Sequence, residues 1–149
     1  MELCQARLDD PEVEPLLEGL AEEYEARYGD VSELATVDPG QFAPPAGVFL
    51  VLRHGGVTVA GGGLRKLADD LCEVKRMWTA PDHRRRGYAS IVLEALEGEA
   101  RARGYARLRL ETGPAQPEAR NLYEQRGYHR IPHYGIYELA TAFEVRLDE

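Results

Sequence analysis

Apolar and polar positions along this chain fall into two periods, one near 3.6 residues and one of two, and they divide it into elements. Residues 2 to 8 read as a first strand. From Asp10 the apolar positions Val13, Leu16, Leu17, Leu20 and Tyr24 keep an i, i+3, i+4 rhythm, with Pro11 suited to a first turn and Gly29 to a stop. Residues 30 to 46, DVSELATVDPGQFAPPA, hold three prolines and no period, so an exposed loop or a broken helix is expected. Val48 to His54 and Val57 to Leu67 flank Gly55-Gly56, a two-residue hairpin turn, and a second turn at Ala68-Asp69-Asp70 leads to Leu71 to Thr79. These three strands form a meander. Gly87 to Arg103 carries Ala89, Val92, Leu93, Leu96 and Ala100 at helical spacing, and Gly104 ends it. Tyr105 to Thr112 alternates like a strand, and Pro117 to Arg126 reads as a short helix. Two last strands are expected near Tyr128 to Ile131 and Phe143 to Leu147. Helices interleaved with neighbouring antiparallel strands predict an α/β (α+β) fold built on one mixed, mostly antiparallel twisted sheet with helices on both faces.

At 149 residues the chain has the size of one domain, taken as 1–149, and it has no internal repeat. No apolar run approaches the roughly 18 residues of a membrane span. MELCQARLDD has acid early and no apolar core, so no leader peptide is expected and the cytoplasm is the default compartment. Cys4 and Cys72 lack a paired spacing, and His54, His83, His129 and His133 show no HxxxH or HxH grouping; no metal is expected. The net charge of −8 argues against a nucleic-acid partner, whose phosphates need a basic surface, and favours a cationic one.

The chemistry concentrates at TAPDHRRRGYAS, Thr79 to Ser90, where a strand passes through a short loop into a helix. Such a start leaves backbone N–H groups without intrahelical partners, and these bind anions. Gly87 lets a ligand approach the backbone, Ala89 keeps the next turn narrow, and Arg84, Arg85 and Arg86 add charges suited to phosphate.

At this junction the chain resembles the GCN5-related N-acetyltransferase (GNAT) superfamily, whose signature Q/R-x-x-G-x-G/A is filled by Arg84, Gly87 and Ala89. The resemblance runs from about Val48 to Gly127. It implies that acetyl-CoA serves as co-substrate, with its pyrophosphate on the turn amides Arg85, Arg86, Gly87, Tyr88, Ala89 and Ser90. The pantetheine arm would lie along Met77, Trp78 and Thr79, between strands that splay apart beside Met77 and Leu110. QPEARNLYEQRGY, Gln116 to Tyr128, looks like the family's N-x-x-A-x-x-L-Y-E-x-x-G-F/Y segment, with Gln116 where the family has asparagine. The amide survives on a longer arm, as a pantetheine contact. The blocks RLRLETG, QPEA, LYE, GY and IPHYG are similar to one bacterial subgroup.

An alkyl amine has a pKa near 10.4, so holding it neutral at pH 7 costs roughly 4 to 5 kcal/mol. The site therefore needs a proton acceptor. Glu73 stands eleven residues before Arg84, the spacing of the general-base glutamate in the family's histone-type members; other members use ordered water. Alternatively, Glu73 pairs with Lys75 or Arg65 on a solvent face. Tyr123 occupies the position of the family tyrosine that faces the cofactor sulfur, where a phenol can protonate the leaving thiolate. Tyr24, Tyr28, the loop from Asp30 to Ala46, and Tyr134 to Tyr137 are candidates for the acceptor wall. The resemblance implies an acetyl-CoA-dependent N-acetyltransferase, and the expected acceptor is a primary amine of a small molecule. A non-catalytic acyl-CoA sensor and a protein-modifying acetyltransferase are the alternatives, and a homodimer is left open.

Overall fold

A computed structural model describes residues 1–28, 39–112, 117–134 and 140–147. Seven strands make one sheet: β1 Glu2–Ala6, β2 Val48–His54, β3 Val57–Ala68, β4 Leu71–Thr79, β5 Arg107–Thr112, β6 His129–Ile131 and β7 Thr141–Arg146. Three α-helices lie among the described residues: α1 Glu14–Tyr28, α2 Tyr88–Ala102 and α3 Pro117–Gln125. The strand order is β1-β2-β3-β4-β5-β7-β6, and every pairing is antiparallel except β4 with β5. The expected mixed, mostly antiparallel sheet is what the chain builds.

Its two faces carry two cores. Val48, Leu50, Cys72, Val74, Leu108, Leu110 and Phe143 pack with Val92, Leu93 and Leu96 of α2 and Tyr123 of α3. On the other face Phe49, Val51 and Trp78 pack with Val13, Leu16 and Leu20 of the first helical segment and with Phe42. Strand alternation dictates this division, since successive side chains of β2 point to opposite faces.

Both C-terminal helices end alike, and the ending explains where the next strand starts. At α2, Gly104 takes a φ of 87°, its N–H donates to the Arg101 carbonyl at 3.0 Å and the Tyr105 N–H to that of Ala100 at 3.1 Å. At α3, Gly127 has a φ of 88°, its N–H donates to the Glu124 carbonyl at 3.1 Å and that of Tyr128 to Tyr123 at 3.0 Å. This paired bonding is the Schellman arrangement. It consumes the N–H groups of Tyr105 and Tyr128, so β5 and β6 begin at Arg107 and His129, later than the alternation alone suggested. The second cap also brings Tyr128 against Tyr123, with ring centroids 5.7 Å apart.

Two irregularities open the middle of the sheet. Across β3 and β4, Gly61 faces Trp78 and Gly63 faces Lys75, so Arg76 and Met77 together stand opposite Gly62; this is a β-bulge, with Arg76 at a φ of 64°. A Cβ on Gly62 would stand 2.5 Å from Met77 Sδ, so the missing side chain makes room for the bulged residue. Between β4 and β5, pairing runs only through Leu71 with Arg107, Cys72 with Leu108 and Glu73 with Arg109. Beyond that row β5 stays paired with β7 through Thr112 while β4 continues to Thr79 alone on that side. The strands part beside Met77 and Leu110, where the resemblance had implied.

Cys72 is fully buried in the α2 face, and that burial pushes its thiol pKa up to about 12. The thiolate fraction at pH 8 is then on the order of 10⁻⁴. Cys72 should resist a disulfide-exchange reagent at pH 8 until denaturant is added; rapid modification of both cysteines in the native protein would contradict this packing. Because the folded-state pKa is the higher one, this thiol's contribution to stability is complete below the unfolded pKa and declines as pH rises above it.

Candidate active site

A cavity of about 600 Å³ lies against the end of β4 that has parted from β5. Its walls include Met77, Trp78 and Thr79 from β4, Arg84, Arg85, Gly87, Tyr88, Ala89 and Ser90 from the helix entrance, and Tyr123 from α3. Ten residues singled out in the sequence thus share one cavity. Arg86 and Glu73 are not on its walls, and Gln116 lies outside the described residues. So do Tyr137 and most of the segment from Asp30 to Ala46. Glu23, Pro81, His83, Ala119 and Leu122 complete the lining; Pro81 and His83 lie within the Thr79 to Ser90 segment, Ala119 and Leu122 are matched positions of the N-x-x-A-x-x-L-Y-E segment, and no motif had pointed to Glu23.

The entrance to α2 has the geometry an anion needs. Gly87 is the N-cap, at a φ of 79°, with no side chain capping the helix. A Cβ built on Gly87 meets nothing within 4 Å, so the approach is open. The Ile91 N–H closes the first turn on the Gly87 carbonyl at 3.2 Å. The N–H groups of Tyr88, Ala89 and Ser90 precede it, in the turn that has no intrahelical acceptors. Arg85 is exposed at a φ of 64°, which turns the chain sharply just before the glycine. Arg84 is committed elsewhere: its guanidinium pairs with Glu23 of α1, and its Nε donates to the Thr79 carbonyl at 3.2 Å. The charge that fills the signature's first position therefore ties α1 to the cradle.

Tyr123 is 5% exposed, and burial raises the pKa of its phenol well above the ordinary value. Its ring is fixed between Tyr128 and Phe143, at 5.7 and 5.8 Å. Behind it, Tyr128 donates to Glu97 Oε2 of α2 at 2.7 Å and Arg126 Nη2 donates to Glu97 Oε1 at 2.7 Å. Burial first, then the charge of Glu97, raises the Tyr128 pKa.

Glu73 points to the opposite face, between Cys72 and Val74, which both face α2. It is 3% exposed. Arg65 Nε and Nη2 donate to its Oε1 at 2.8 and 2.7 Å, and the Tyr134 hydroxyl donates to its Oε2 at 2.6 Å. The ion pair with Arg65 is present, but the solvent face considered for it is not: Glu73 is buried, with the Tyr134 hydroxyl on its second oxygen. One row crosses five strands here, Arg65, Glu73, Arg109, Glu144 and His129, each residue opposite the next in register and alternating in charge when the histidine is protonated. Arg109 Nε donates to Glu144 at 2.7 Å. Sequence periodicity places these residues on strands but not on one row, because register is set by turns and the bulge. Among the described residues no group of three or more His, Cys, Asp or Glu is placed to hold a metal. No described helix is long and apolar enough to cross a membrane.

The model of the acetyltransferase (GNAT) family matches residues 13–128. The chain belongs to that family. Membership makes it an N-acyltransferase of the acetyl-CoA-dependent type. It is 33% identical over 126 residues to the IAA acetyltransferase of Azospirillum brasilense, covering 84% of this chain and 79% of the relative. It is also 33% identical over 94 residues to the uncharacterized N-acetyltransferase YjgM of Escherichia coli (strain K12). That match covers 60% of this chain, which spans only 56% of the relative's length. A solved structure from Klebsiella pneumoniae, assigned as an acyl-CoA N-acyltransferase, superposes with a TM-score of 0.81 at 27% identity, covering 98% of this chain and 97% of the other.

Proposed function

We propose that this chain, as a single cytoplasmic domain over residues 1–149, transfers acetyl from acetyl-CoA to a primary amine of a small molecule by direct attack within a ternary complex. The observation that carries the reading is one cavity walled by both the glycine entrance of α2 and the Tyr123 phenol. The residues fit the donor: the amides of Arg85 to Ser90 would hold a diphosphate, and Met77 to Thr79 would receive the pantetheine arm. Bound there, acetyl-CoA supplies the thioester. Backbone amides near Met77, beside the bulge, stabilise the negative charge that develops on the carbonyl oxygen. Glu73 is the final acceptor of the amine proton, and Tyr123 protonates the leaving thiolate.

The test is release of CoA thiol on incubation with a panel of primary amines, with calorimetry of acetyl-CoA binding in parallel. Binding with no release from any amine would defeat the reading. A related outcome concerns the arginines. Arg85 is free to face a diphosphate and Arg84 is held by Glu23, so Arg85→Ala should weaken acetyl-CoA binding about fivefold, more so at low salt. Arg84→Ala should weaken it less. Calorimetry at two salt concentrations ranks them, and the opposite order would place Arg84 on the phosphate.

A further inference from the structure

The carboxylate assigned as proton acceptor is too enclosed to meet a substrate. Glu73 is 3% exposed, with Arg65 on Oε1 and Tyr134 on Oε2. Arg65 is itself held, since its Nη1 donates to Gln41 Oε1 at 2.7 Å. An amine nitrogen could touch Glu73 only by displacing one of these donors. Tyr134 is only half-buried and stands where β4 and β5 part, at the last paired row, Glu73 with Arg109. Its ring lies 5.5 Å from the Arg109 guanidinium carbon, and its N–H donates to Glu111 Oε2 at 3.4 Å.

We propose that Tyr134 is a catalytic proton relay, its hydroxyl taking the amine's proton while passing its own to Glu73. As the nitrogen attacks the thioester carbon, the C–N bond forms and the carbonyl π pair moves onto oxygen. The N–H proton goes to Tyr134 Oη, and the Tyr134 hydroxyl proton goes to Glu73 Oε2. Collapse of the intermediate breaks the C–S bond, and the sulfur takes its proton from Tyr123. Glu73 then returns its proton through Tyr134 to solvent, and Tyr123 regains a proton from solvent once the CoA thiol has left. This rests on the acetyl-transfer reading and assigns the residue that would touch the acceptor.

Two physical facts favour a relay over a free base. Burial, then the charge of Glu73, raises the Tyr134 pKa, while Arg109 lowers it; the net direction is up, so the phenol remains protonated and acts by handing a proton on. The two phenols also lie on opposite faces of the sheet, Tyr123 with the α2 core and Tyr134 over Glu73. Flanking the gap in this way, they separate proton removal from proton delivery.

Tyr134→Phe keeps the ring over Arg109 and deletes only the hydroxyl. With the best amine of the panel, it should lower kcat about 10²-fold while the acetyl-CoA dissociation constant stays within about twofold. Glu73→Gln should do the same, and the double variant should be no slower than either single one, because members of one relay are not additive. Without any substrate, wild-type protein should show a downfield hydroxyl proton resonance that Tyr134→Phe loses and Glu73→Gln moves upfield, because a neutral amide oxygen accepts more weakly than a carboxylate. If Tyr134→Phe turns over like wild type, or the two losses multiply, or that resonance survives in Tyr134→Phe, the relay is wrong and the transfer reading stands. A wild-type chain that acetylates no amine overturns both.

Discussion

Tyr123→Phe is expected to lower kcat by about 10²-fold, at the low end of what a positioned general acid contributes, and to leave acetyl-CoA binding within about twofold. The substitution preserves the ring between Tyr128 and Phe143. What it removes is a proton that burial holds on the phenol throughout the neutral range. Because the folded-state pKa is raised, the acid form persists to higher pH than for an exposed tyrosine, so Tyr123 should impose no loss of activity between pH 7 and 9. Steady-state turnover of the wild type and variant against pH, with calorimetry of the donor, checks both statements. An unchanged kcat in the variant would remove Tyr123 from the mechanism.

Glu97→Ala should destabilise the fold by roughly 2 to 4 kcal/mol, measured by equilibrium denaturation. Glu97 is 6% exposed and accepts hydrogen bonds from Tyr128 and Arg126, so its loss strands a buried phenol and leaves a half-buried guanidinium without that partner. The partner groups sit at the end of α3 whose cap also sets Tyr123. Activity should therefore fall further than the unfolded fraction explains, because the phenol loses its fixed orientation. Glu97→Gln should recover part of the stability, since an amide oxygen still accepts one of the two hydrogen bonds. A loss below 1 kcal/mol in Glu97→Ala would mean that the network contributes little to docking α3 on α2.

Arg84 shows how a correct motif can mislead about a side chain. The R-x-x-G-x-A spacing located the turn and its glycine, and both line the cavity. Which arginine faces the ligand depended on Glu23, which comes to Arg84 from α1, sixty-one residues earlier in the chain. No local pattern carries that information. Glu73 teaches the same lesson from the other side. Its spacing marked it as chemically special, yet its partners Arg65 and Tyr134 come from β3 and from beyond β6, and they decide that it is buried rather than wet.

What this amino-acid sequence determined by itself was local. Period-two and period-3.6 runs, the Gly55-Gly56 turn, the Gly104 stop and the glycine at the start of α2 each follow from backbone preferences over a few neighbouring residues. Only the tertiary structure decided the rest: the bulge at Arg76 and Met77, the parting of β4 from β5 beyond Glu73, the pairing of Arg84 with Glu23 and the row of charges beneath Tyr134. The physical reason is that strand register and cross-sheet contacts join residues far apart in the chain, and their free energies depend on burial and on partners that exist only once the sheet has closed.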